Sequence, residues 1–346
     1  MAYTTINKSS DYFNTKLYTG NGSTQSITGV GFQPDWVWIK NRTAAENHFI
    51  FDSVRGALNA LKSNSSGAAG DTADSLTAFT SDGFNLGNLA DTNRSGNAVA
   101  SWNWKAGGTA SSNTDGSITS TVSANTTSGF SIVSYTSTGS NATVGHGLGV
   151  APAMIIFKRR SGDTENWPVY HKSLGATKNI KLNLTDAVST SSTRFNDTEP
   201  TSSVFSLGTS GDTNGGTSPF IAYCFSEVKS FSKISSYVGN GSSSGPMIWC
   251  GFKPAKVMIK STGSGEDWFI WDNKRPGFNK SFNPYLQPNT SNAEYDGSGA
   301  FAELLSNGFK INGTSGYLNS SGQEYIFYAV AESPFVTSTG IPTTAR

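Results

Sequence analysis

The sequence predicts an all-β protein built from three tandem homologous antiparallel β-sandwich modules of jelly-roll-like type. Three observations carry that prediction. Charged residues are scarce, at 14 %, while Gly, Ser, Thr and Asn are abundant. Apolar residues come as short β-branched and aromatic runs rather than at helical spacing, which suits many short strands joined by polar turns. The chain also repeats itself. Tyr18-Thr-Gly-Asn-Gly-Ser leads into Gly31-Phe-Gln-Pro34 and an apolar run ending at Lys40. Tyr135-Thr-Ser-Thr-Gly-Ser leads into Gly149-Val-Ala-Pro152 and Lys158, and Tyr237-Val-Gly-Asn-Gly-Ser into Gly251-Phe-Lys-Pro254 and Lys260. The prolines are 118 and 102 residues apart, too long for a solenoid repeat and right for small domains of one kind.

The first module is expected over 1–108. Phe13 to Tyr18 opens it and ends in the Gly20-Asn-Gly22 turn; residues 24–32 form a second strand. Trp36 to Lys40 is a third strand after the edge-marking Pro34, and His48 to Asp52 a fourth. Val54 to Leu61 has room for one short helical turn, within a polar loop over about 57–75. Asp82-Gly83 is a hairpin signal before Phe84 to Leu86, and Ala98 to Trp104 closes the module. A flexible-looking linker is expected over 109–118, rich in Gly, Ser, Thr and Asn. The second module is placed at 119–231 and the third at 232–336, followed by a C-terminal tail, 337–346. Their closing runs, Phe220 to Phe225 and Tyr325 to Val330, are near-continuously apolar, as in a strand buried on both faces. The joint through Glu227 to Ile234 should be tight.

The third strand separates what is fixed from what varies. Side chains alternate faces along a strand, so Val37 and Ile39, Ile155 and Phe157, and Val257 and Ile259 each share one face. That face is apolar in every copy and should be core. The other carries Trp36 and Trp38, then Met154 and Ile156, then Lys256 and Met258. A face that is greasy in two copies and charged in the third predicts contact with a neighbouring module or subunit.

Composition excludes several classes. The net charge is +1 without a basic stripe, so electrostatic capture of nucleic acid or of an anionic membrane is not expected. No run approaches eighteen apolar residues, and the first residues lack a cleavable export signal, so neither membrane insertion nor signal-directed export is expected. Cys224 and Cys250 occupy non-equivalent points of the repeat and read as two buried free thiols. Three histidines and two cysteines, scattered, do not make a metal site, and the Asx-rich loops carry too few carboxylates to argue Ca²⁺. No cofactor fingerprint is present. Asp52 and Asp272 share a repeat position that holds His171 in the second copy. A pair of carboxylates could cleave a glycoside if the two met about 5–10 Å apart, but each reads more simply as a polar strand end or turn former.

The eight tryptophans are the strongest functional candidates, since indole faces stack on sugar rings and also fill cores and subunit contacts. Trp36, Trp38, Trp102, Trp104, Trp167, Trp268 and Trp271, with Lys40, are the interface or ligand candidates. Trp249 completes the set.

The run from Tyr18 through Gly31-Phe-Gln-Pro34 and Lys40 to Phe49-Ile-Phe-Asp52-Ser-Val-Arg55-Gly56, with Gly83-Phe84 and Val99 to Trp104, resembles a domain found in virion proteins of tailed bacteriophages, marine ones especially. The resemblance covers residues 12–108 and extends to the other two copies. The second departs from it, with Val150 after Gly149 and no Arg-Gly pair after the aromatic strand. The resemblance implies a non-enzymatic structural protein on the virion exterior, assembled in the host cytoplasm. It implies no catalytic residues. A tail position, as fibre, tip or adaptor, is the leading expectation, with other virion proteins, further copies of the chain and a host-surface glycan as partners. The alternative is a capsid decoration protein with pseudo-threefold modules, and a less favoured one is a polysaccharide depolymerase.

Overall fold

The structure, a computed structural model, describes residues 4–263, 265–275, 284–296 and 301–343. Parts of the expected third module and the end of the tail lie outside them. Among the described residues strands account for 44 % and helix for 6 %.

The described residues of the first third hold nine strands: β1 (Phe13–Thr19), β2 (Gln25–Ile27), β3 (Trp36–Asn41), β4 (His48–Asp52), β5 (Asn59–Lys62), β6 (Gly70–Asp71), β7 (Leu76–Thr80), β8 (Gly83–Leu86) and β9 (Ala98–Trp104). They make a large sheet, β1-β9-β3-β4-β5-β6, and a small one, β2-β8-β7. The middle third adds β10 (Ser111–Asn113), β11 (Ser120–Asn125), β12 (Phe130–Thr136), β13 (Ala142–Gly145) and β14 (Met154–Arg159). It continues with β15 (Pro168–His171), β16 (Lys178–Lys181), β17 (Ser189–Thr190), β18 (Val204–Leu207) and β19 (Pro219–Phe225). Its sheets are β10-β11-β12-β19-β14-β15-β16-β17 and β13-β18. The last third contains β20 (Ser232–Val238), β21 (Ser244–Trp249), β22 (Phe252–Ser261), β23 (Trp268–Asp272), β24 (Phe301–Leu305), β25 (Gly308–Asn312) and β26 (Glu324–Pro334). They form β20-β26-β22-β23 and β21-β25-β24. The named strands pair antiparallel, with one isolated parallel bridge between Ile118 and Val144, and β1-β9-β3-β4, β12-β19-β14-β15 and β20-β26-β22-β23 follow one order.

Each large sheet has two buried faces. Val37, Ile39, Phe49 and Phe51 meet Ile27, Phe84 and Leu86 of the small sheet. Ile155 and Phe157 meet Val144, Phe205 and Leu207, and Val257 and Ile259 share a core with Ile248, Phe309 and Ile311. The alternation read for the third strand therefore holds in all three pairs. The opposite faces do not meet water. Trp36, Trp38, Met154, Ile156 and Met258 belong to one apolar cluster that draws on all three large sheets.

The repeated Tyr and Gly-rich turn have a shared mechanical reason. Short helices α1 (Ala90–Asn93), α2 (Ser192–Phe195), α3 (Gly211–Asn214) and α4 (Gly316–Asn319) punctuate the chain. Asn93, Asn214 and Asn319 end α1, α3 and α4, and all three are buried. Each uses its amide to hold two carbonyls, Asn93 those of Ser23 and Gly87, Asn214 those of Ser140 and Gly208, Asn319 those of Ser242 and Gly313. Each also accepts the backbone N–H of Asn21, Thr138 or Asn240 in the turn. Tyr18, Tyr135 and Tyr237 donate their hydroxyls to the carbonyl just before that Asn, at 2.7, 2.6 and 2.9 Å.

Three local expectations change. Val54 to Leu61 makes no helix: the chain turns and enters β5, where Asn59 pairs with β6. The polar loop over 57–75 is thus partly strand. The linker 109–118 is tied down, because Ser111 to Asn113 pair with β11 and the Gly107 N–H donates to Ser123 Oγ at 3.0 Å. The joint after β19 is tight, as expected. The Glu227 carboxylate accepts the Ile234 N–H at 3.0 Å, and Ser230 adopts a left-handed φ of 62°. Both cysteines are buried free thiols, Cys250 pushed up to about 12 by burial.

Candidate functional site

The sequence candidates converge, but on the interior. Trp36, Trp38, Trp102, Trp104, Trp167, Trp268 and Trp271 are each at most 2 % exposed, and Lys40 is buried with them. No indole of this set presents a face to solvent. The Trp36 ring lies 4.4 Å from Trp104 and 4.8 Å from Tyr223 of the middle third, with Phe130 and Phe225 close behind. Trp104 donates its indole N–H to Tyr328 of the last third at 3.2 Å. Aromatic pairs at these separations hold well beyond area burial alone.

Lys256 takes the strand position of Trp36 and Met154 and projects into that aromatic centre. Its ammonium stands 4.8 Å from the Trp104 ring, 5.3 Å from Trp38, 5.6 Å from Trp102 and 5.9 Å from Tyr328. Cation–π attraction and the nearby Asp272 favour the charge, yet burial outweighs them and lowers its pKa to about 7.

The three lysines six residues after the repeated prolines do one job. Lys40 donates to Glu46 O at 2.7 Å and to Ser291 O of the last third at 3.0 Å. Lys158 donates to Glu165 O and to Ser66 O of the first third, both at 2.7 Å. Lys260 donates to Ser261 O at 3.0 Å and reaches Thr185 O of the middle third at 3.4 Å. Burial lowers each of the three to about 8. Two residues beyond each lysine a carbonyl accepts a neighbour's backbone N–H: Ala69 N to Arg160 O, Val188 N to Thr262 O and Glu294 N to Arg42 O, at 2.8, 3.0 and 2.9 Å. The first third thus clasps the second, the second the third, and the third the first.

Asp52, His171 and Asp272 complete the cycle at the far end of the fourth strands. Asp52 Oδ2 accepts from the Tyr223 hydroxyl at 2.7 Å, and Asp272 Oδ2 from the Trp102 indole N–H at 2.9 Å. His171 Nε2 lies 3.3 Å from Phe327 O, its pKa lowered to about 4, chiefly by burial. Arg55 and Arg275 ion-pair with the two aspartates at 2.5 and 2.6 Å. Each carboxylate is therefore spent on a guanidinium and a neighbouring third. Among the described residues no group of three or more His, Cys, Asp and Glu side chains is placed to hold a metal ion.

Two features escaped the sequence reading. The Asn clamps were legible as Asp-Thr-Asn93 and Asp-Thr-Asn214, but Gly-Tyr-Leu-Asn319 hides the third. Trp249 is 61 % exposed, unlike the other seven. It borders a cleft of about 270 Å³ with Glu227, Lys233, Cys250 and Gly251.

Residues 8–334 match, as one unit, the family described as a domain of unknown function, DUF7483. The chain belongs to this family. No curated protein and no solved structure matches it.

Proposed function

We propose that this DUF7483 chain is a non-enzymatic building block, three tandem homologous jelly-roll-like sandwich modules closed into a pseudo-threefold unit on the exterior of a virion. The observation that carries the reading is the cycle of equivalent contacts, Lys158 on Ser66 O, Lys260 on Thr185 O and Lys40 on Ser291 O. The repeated sequence blocks and the shared strand order support homology of the modules. The virion assignment rests on the resemblance over residues 12–108. The aromatic residues that mark the repeat are spent on cohesion, and Asp52 and Asp272 are held by Arg55 and Arg275, an arrangement that favours building over catalysis.

Of the two placements, cyclic closure favours a cap over a local threefold of the shell, where three like surfaces meet three like sites. Other shell proteins are then its partners. A tail position is the second reading, favoured by the one-sided exposure of Trp249, which breaks the equivalence of the modules. Immunogold labelling of purified particles encoded by the same genome separates them. Gold spread over heads is the expected result; gold confined to tails selects the second reading, and unlabelled particles overturn both.

A further inference from the structure

Trp249 pairs with Gly308 at the end of β21, and its counterpart in the second repeat is Gly145, which pairs with Val204 at the end of β13. Folding accepts glycine there, so the indole answers some other need. It stands at the end of β21 with its ring edge over Gly251, where an added Cβ would come within 3.0 Å of it. Across the cleft stand Glu227, in the turn after β19, and Lys233, at the start of β20, ion-paired at 3.1 Å, with Lys172 also paired to Glu227. A flat aromatic wall beside a fixed carboxylate–ammonium pair matches one chemistry well. Ring C–H groups lie on the indole, while hydroxyls donate to Glu227 and accept from Lys233. The volume of about 270 Å³ falls just below the range of drug-sized ligand sites, ~300 Å³ and upward, which suits one sugar ring rather than a protein segment.

We propose that this cleft binds a pyranose ring of a saccharide, stacked on Trp249 and hydrogen-bonded by Glu227 and Lys233. The site is independent of where the protein stands on a particle, so labelling and binding succeed or fail separately.

The test uses the full chain and the methyl glycosides of glucose, galactose, mannose, N-acetylglucosamine and glucuronic acid. Acrylamide quenching of tryptophan fluorescence reports the exposed indole. At least one glycoside is expected to shield it with millimolar affinity, as one stacked ring gives. Trp249→Gly, the residue of the second repeat, should abolish the response with an unchanged melting temperature. Glu227→Gln should weaken binding about tenfold, the loss of one charge-assisted bond. The proposal is overturned if no glycoside shields Trp249, or if shielding persists in Trp249→Gly. It is equally overturned if Trp249 is shielded without sugar and sedimentation shows self-association.

Discussion

Lys256 is the residue where the competition of forces is plainest. Four aromatic rings and Asp272 attract its charge, while removal from water opposes it, and the lowered pKa of about 7 says that desolvation wins. Met154 fills the same strand position in the second repeat, so Lys256→Met should fit. Replacing a buried charge by a well-packed apolar chain is often stabilising, and a gain of about 1 kcal/mol at pH 7 is expected in urea unfolding. The pH dependence follows from linkage. Between about 7 and the unfolded value near 10.5 the unfolded chain holds the lysine proton and the folded one has released it. Wild-type stability therefore rises with pH there, and the advantage of Lys256→Met shrinks; an advantage that grows with pH would contradict this. Asn319 offers the opposite case. Asn319→Ala strands the Ser242 and Gly313 carbonyls and the Asn240 N–H, at a cost of about 2 kcal/mol. A urea midpoint equal to wild type would remove the clamp from the account.

At the scale of the element, the alternation along β3, β14 and β22 was fully legible, because a period of two assigns faces without knowledge of the fold. The outer face was legible as a contact, yet Trp36 and Trp38 gave no sign of whether sugar, subunit or sister sheet would cover them. Burial chemistry is the same in all three cases. The repeated spacing from Pro to Lys was visible too, but its purpose was not: the acceptors Ser66, Thr185 and Ser291 each stand two residues after an asparagine, Asn64, Asn183 or Asn289, that accepts the backbone N–H of His48, Trp167 or Trp268, yet no local pattern says that each lysine reaches the copy in a different repeat. The apparent linker failed for a related reason: its Ser-Ser-Asn113 segment pairs with β11 through backbone alone, which polarity does not forbid. These clasps make a prediction. Lys158→Ala leaves Ser66 O and Glu165 O without their ammonium donor and should cost about 2–3 kcal/mol. Lys40→Ala should cost about as much, its contacts being equivalent. Urea unfolding of both variants checks this; a loss confined to one would mean that the clasps are not equivalent.

At the scale of the whole molecule, one apolar cluster crosses all three large sheets, and the first and last thirds meet again where Asn7 and Ser338 exchange hydrogen bonds at 2.8 and 2.7 Å. A third taken alone would expose Trp36, Trp38, Trp102 and Trp104, a patch far beyond scattered surface apolar residues. The cycle of contacts predicts that the repeats unfold as one closed body rather than as three beads. Differential scanning calorimetry of the full chain tests it most directly. A single transition whose calorimetric and van't Hoff enthalpies agree is the predicted result; separate transitions, one for each third, would contradict it.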